Sequence, residues 1–68
     1  MIAHIRFNQR EGNLKMVSLY HKSDEVYSHL KSGDYLVMDC PLMLRNLDEE
    51  EMLQWAEQQI DNGIAMKV

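Results

Sequence analysis

The first part of the chain alternates apolar and polar positions in a way that predicts a β-hairpin. Every second position of the first segment is apolar: Met1, Ala3, Ile5 and Phe7. This two-residue period is typical of a strand with one buried face and one mostly polar face. A polar loop over residues 9–13, which contains Gly12-Asn13, leads to a second β-prone run over residues 14–20. Alternation is poor in this second run, so either both of its faces are covered or the strand is bulged.

A short helix and a buried strand are predicted next. Ser23 is the expected N-cap of the helix, because two acids follow it, and Gly33 is the expected residue after its end. The run over residues 35–40 is apolar and β-prone, which favours a central strand that Pro41 terminates. Residues 42–44 are expected to continue as an extended segment toward a second helix.

The second helix is the best-specified element of the sequence. Asp48 as N-cap and Glu51 three residues later match a capping box, and Leu47 and Met52 occupy the positions of a hydrophobic staple. The helix ends before Gly63, and a short strand over residues 64–68 follows it. Its expected apolar face, with Trp55 at the flank, comprises Met52, Leu53, Ala56 and Ile60.

These elements predict one α+β domain that covers residues 1–68. Their order is β-β-α-β-α-β, and the economical arrangement is a three- to four-stranded, mainly antiparallel sheet with two helices on one face. A core of this size rarely supplies more than about 3–5 kcal/mol, and the single cysteine excludes an internal disulfide. We therefore expect either an efficient core or added stability from a second copy or a partner, and a homodimer through the open sheet edges is one form of this.

The charge is distributed unevenly along the chain. Residues 1–46 carry six Lys/Arg against five Asp/Glu, whereas residues 47–68 carry one Lys against six acids, for a net charge of −4. Clustered cations are absent, which disfavours wholesale binding to a phosphate backbone. No secretory signal or membrane-spanning run is visible, and a lone cysteine fits a reducing compartment, so we expect a soluble, cytoplasmic protein.

The residues that could carry chemistry are scattered. His4, His21 and His29 lie on three predicted elements without metal-ligand spacing, so we interpret them as surface residues. Cys40 has no oxyanion site or helix N-terminus beside it, so we interpret it as a partly buried structural residue. We therefore predict no catalytic residue, no metal and no cofactor. A minimal enzyme that uses Cys40, or His4 with His21, is kept as an alternative hypothesis.

The sharpest functional indication is the outer face of the second helix, where capping does not explain the remaining acids. Spaced negative charge suits a basic partner surface, and tryptophan is a common interface anchor. We predict a small non-enzymatic inhibitor, modulator or accessory subunit that binds another protein through this helix and a sheet edge. By size and charge it is like many phage and mobile-element accessory proteins. The predicted partner-binding residues are Glu49, Glu50, Trp55, Glu57 and Asp61.

Two other interpretations stay open. The acids could form a solvated face that only maintains solubility. Alternatively, the chain could be a nucleic-acid-associated regulator that uses the hairpin face, although its cations are scattered and no ribonucleoprotein-type aromatic motif accompanies them. The cations of this hairpin face are Arg6, Arg10, Lys15 and Lys22.

Overall fold

Strands and helices follow one another in the predicted order in the computed structural model, which describes residues 1–8, 10 and 12–68, with the backbone alone at 14 and 15. Among the described residues, a 3₁₀ helix (Leu42–Asn46) is the one element that the sequence did not predict. The remaining elements are β1 (Ile2–Phe7), β2 (Leu14–Tyr20), α1 (Ser23–Tyr27), β3 (Tyr35–Val37), α2 (Glu49–Asp61) and β4 (Met66–Lys67). The strands form one antiparallel sheet in the order β2-β1-β3-β4. The α+β class is confirmed.

β1 lies inside the sheet, and both of its faces are covered. Successive side chains of a strand point to opposite faces, so adjacent residues of β1 lie in the cores on opposite sides of the sheet. On the α2 side, the buried residues are Ala3, Ile5, Val37, Cys40, Leu44 and Ala56. On the α1 side, they are Ile2, Val26 and Leu36. The two helices therefore lie on opposite faces, and the expectation of a single helical face is wrong because the face that carries Ile2 is buried as well.

The hairpin of β1 and β2 resolves the ambiguity of the second strand. Arg6 pairs with Met16 but Phe7 pairs with Leu14, so β2 carries one extra residue at this point. The strand is thus bulged, and side chains of β2 also pack against both cores. Gly12, at φ 72°, donates its N–H to the carbonyl of Asn8 at 2.7 Å and closes the loop. Gln9 and Glu11 of the predicted loop lie outside the described residues.

Four local predictions differ from the structure, and one is the final strand, which spans Met66–Lys67 rather than residues 64–68. α1 begins at Ser23 with Lys22 as its N-cap and spans five residues, so it ends well before Gly33. β3 ends at Val37, because Asp39 takes a left-handed conformation (φ 55°) and the Cys40 N–H turns back to the carbonyl of Met1 at 2.8 Å. The segment after Pro41 is the 3₁₀ helix rather than an extended one.

α2 has the predicted ends. Asp48 accepts from the Glu51 N–H at 2.8 Å, and the Glu51 carboxylate accepts from the Asp48 N–H at 3.2 Å, which completes the capping box. At the other end Gly63 has φ 73°, and the Ile64 N–H donates to the Gln59 carbonyl in a Schellman-type termination. Within the described residues, no helix has the length and apolar character to cross a bilayer.

Candidate functional site

The most connected group of polar side chains surrounds Asp34 on the α1 side of the sheet. Arg6 donates to both carboxylate oxygens of Asp34, from Nε at 3.0 Å and from Nη2 at 2.8 Å. His4 Nε2 lies 2.7 Å from Asp34 Oδ2, and the Lys31 N–H donates to the same oxygen at 2.9 Å. We call His4, Arg6 and Asp34 the Asp34 cluster.

The Asp34 cluster joins β1 to the segments that enclose it. Arg6 also donates to the His29 carbonyl at 2.7 Å, and the Asp34 carbonyl accepts from the Val68 N–H at 2.7 Å. The hydrogen bonds from Arg6 hold the pKa of the Asp34 carboxyl well below its usual range, so the group is ionised at neutral pH. The carboxylate thereby fixes the α1–β3 connection onto β1, while the backbone carbonyl of the same residue holds the end of the chain beside β3.

Neither His4 nor Asp34 presents a reactive group to a ligand. His4 has no exposed surface and Asp34 is 3% exposed. His4 Nδ1 is buried and has no hydrogen-bond partner among the described residues. The expectation of a surface histidine is wrong for His4, because α1 covers the face of β1 that looked polar. His21 and His29 are exposed as expected.

Cys40 is buried, as its interpretation as a structural residue requires. Its Sγ donates to the Val37 carbonyl at 3.1 Å. Burial raises the pKa of the Cys40 thiol, which disfavours the thiolate form that nucleophilic chemistry uses. In the described part of the chain, His, Cys, Asp and Glu residues form no group of three suited to a metal ion.

The predicted partner-binding residues divide between two sides of α2. Glu50, Glu57 and Asp61 are exposed and follow one another along the helix at spacings of seven and four residues, which places them in one row. We call these three residues the acidic row. Trp55 is partly buried against the α2-side core. At about 100° per residue it lies on the opposite side of the helix from the acidic row.

Glu49, the fifth predicted residue, lines a groove between β2 and the start of α2. This β2 groove has a volume of about 340 Å³ and is lined by Met16, Val17, Leu47, Asp48, Glu49, Met52 and Leu53. Met16 and Val17 are consecutive residues with side chains on opposite faces of β2, so the groove opens at the edge of the strand. That edge is free in the described sheet, where β2 pairs with β1.

Sequence reasoning missed the β2 groove. Asp48 has the predicted cap role, and Leu47 and Met52, the predicted staple pair, both pack against the α2-side core. All three residues also line the groove. The signal that pointed to it was the unexplained apolar pair Met16-Val17 in a strand with poor alternation. Both faces of that strand, rather than one, carry apolar side chains.

The cations of the hairpin do not act alike. Arg6 is engaged with Asp34, whereas Arg10 and Lys22 are exposed, and the side chain of Lys15 lies outside the described residues.

Comparison of the chain with protein-family models, with curated proteins and with solved structures found no match. Any function of the chain is therefore inferred from its own geometry and charge.

Proposed function

We propose that the chain is a small non-enzymatic protein that binds an extended, basic segment of another protein at the β2 groove. It would act as an inhibitor or accessory subunit, because occupying such a segment prevents or directs its other contacts. The observation that carries the proposal is the continuity of three features: a free strand edge, an apolar groove and the acidic start of α2.

The free edge of β2 supplies the means of binding a strand. An edge strand has backbone N–H and C=O groups that are not used within the sheet, and an added strand satisfies them. Side chains of an added strand alternate, so one in two would face the α2 side. An apolar side chain there would enter the groove beside Met52 and Leu53, which are both partly buried and therefore still accessible.

The charge of α2 indicates the chemistry of the partner. Glu49 lies on the wall of the β2 groove, and Glu50 follows it in the exposed first turn. Among the described residues the ion pairs are those of Asp34, so neither glutamate is neutralised by a described cation. A Lys or Arg in the partner segment would be attracted by the negative charge of these two glutamates. The acidic row would increase the association rate at low ionic strength.

The experiment is affinity capture from the source cell by immobilised protein and matched variants. Leu53→Ser removes apolar surface from the β2 groove, and Leu42→Ser is its control, because Leu42 is 66% exposed and lies outside the groove. We expect Leu53→Ser and the double variant Glu49→Lys/Glu50→Lys to lose a partner that Leu42→Ser retains. Equal capture by all three variants would contradict the proposal.

The nucleic-acid alternative differs in its dependence on salt. Binding through scattered cations would weaken steeply as salt rises and would be reduced by Arg10→Ala. An exposed Arg10 leaves this alternative open to test, whereas Nε and Nη2 of Arg6 already donate to Asp34 and to the His29 carbonyl. No binding to single- or double-stranded nucleic acid at low salt would eliminate it.

A further inference from the structure

A second groove, beside the Asp34 cluster, concentrates positive charge in a chain whose net charge is −4. This Arg6 groove has a volume of about 470 Å³ and is lined by Arg6, Phe7, Asn8, Arg10, Lys31, Ser32 and Asp34. Three of these residues are cationic and one is acidic, which gives a local charge of +2 from three positive groups and one negative group. The sign is opposite to that of the rest of the surface.

The guanidinium of Arg6 is held in place before any ligand arrives. Its Nε and Nη2 donate to Asp34 and to the His29 carbonyl, which fixes its plane. Nη1 makes no hydrogen bond to the described residues, so its two N–H groups are available. An arginine already ordered by its own carboxylate loses little side-chain entropy when it binds an anion.

Further donors surround this guanidinium. Lys31 is exposed, and its backbone is fixed by the bond from its N–H to Asp34. Arg10 is exposed, and its N–H donates to the side-chain oxygen of Asn8, whose amide N–H₂ makes no hydrogen bond to the described residues. Ser32 adds a hydroxyl at the same wall. The groove thus offers several donors, and Asp34, its acid, is already paired with Arg6.

We propose that the Arg6 groove binds the phosphate group of a small phosphate monoester. Such a group carries about −1.5 to −2 charges at neutral pH and three acceptor oxygens, which match the local charge and the donors. A carboxylate would match only half of the charge. This site lies on different residues from the β2 groove and does not depend on the proposed partner.

The test is an NMR titration of the ¹⁵N-labelled protein with inorganic phosphate, glucose 6-phosphate and adenosine monophosphate. We expect saturable shifts of the Arg6 side-chain Nε–H and of the Lys31 and Ser32 amides. Similar affinity for all three ligands would show that the phosphate alone is recognised, and tighter binding of one monoester would identify the attached group. Both results support the proposal.

Lys31→Ala is the discriminating variant, because changing Arg6 would disturb the Asp34 cluster. We expect it to weaken phosphate binding about fivefold or more, with an unchanged unfolding midpoint, since the loss of one charge-assisted hydrogen bond has this effect. Lys22→Ala is the matched control, an exposed lysine outside the groove. Equal weakening by both variants, no saturable shift, or shifts with an oligonucleotide alone would overturn the proposal.

Discussion

Replacing Asp34 by Asn should remove most of the stability of this domain. The carboxylate receives four hydrogen bonds, from Arg6 Nε, Arg6 Nη2, His4 Nε2 and the Lys31 N–H. An amide keeps one acceptor oxygen and turns a donor toward the guanidinium, so at least one buried or half-buried donor loses its partner. Breaking a buried pair from one side costs about 3–5 kcal/mol, and Arg6 is partly exposed, so we expect the lower limit of about 3 kcal/mol.

That cost is comparable with the total expected for a chain of this size, about 3–5 kcal/mol. Urea unfolding followed by circular dichroism should therefore show Asp34→Asn largely unfolded or with a much lower midpoint. The matched control is Asp61→Asn, an exposed acid at the end of α2, which should change the free energy of unfolding by less than about 0.5 kcal/mol. A loss below about 1 kcal/mol for Asp34→Asn would refute the structural role of the Asp34 cluster.

Three further predictions concern the same features. The folded pKa of Asp34 lies below its unfolded value near 4, so the unfolded chain binds more protons in acid. The stability that Asp34 contributes is therefore complete above about pH 4 and is lost as pH falls. The urea midpoint of the wild-type protein should drop below about pH 4, and a constant midpoint would contradict this. Asp48→Ala should cost about 1 kcal/mol by urea unfolding, through loss of the capping box, whereas Leu42→Ala on the exposed 3₁₀ surface should cost little. Gly63→Ala should cost about 1 kcal/mol, because its φ of 73° is unfavourable for a side chain, and an unchanged melting temperature would rule out this termination of α2.

The helix α2 was predictable because its signals are local. The cap at Asp48, the reciprocal Glu51 and the terminating Gly63 lie within a few residues of the backbone groups that they satisfy. Local hydrogen bonds of this kind depend on sequence spacing and little on the rest of the fold. The same reasoning placed the N-cap of α1 one residue late, because there no side chain caps the helix and tertiary packing determines its start.

The Asp34 cluster was not predictable from spacing. Asp34 contacts Arg6 and His4 across 28 and 30 residues of sequence, and beside Gly33 it resembled an ordinary turn residue. His4 and Arg6 looked like the solvent face of a strand because they alternate with apolar residues. Only the position of β1 inside the sheet, with α1 above it, turns that face into a buried polar layer.

The candidate binding surface was predictable in part. The exposure of the acidic row and of Glu49 agrees with the sequence analysis, since these residues have no capping or packing role. The helical period alone places Trp55 away from the acidic row, but the sequence could not show that the free edge of β2 adjoins the start of α2. That adjacency follows from how α2 crosses the sheet, which no local pattern encodes.

The most direct test of the proposed binding site is selection of peptides from a random displayed library, followed by NMR mapping on the ¹⁵N-labelled protein. We expect the enriched peptides to alternate apolar residues with Lys or Arg, and to shift the backbone amides of Met16, Val17 and Leu53. Their affinity should fall in Leu53→Ser and as salt rises, and should persist in Leu42→Ser. Enriched peptides without basic residues, or with shifts confined to surfaces other than β2 and the start of α2, would contradict the assignment of this site.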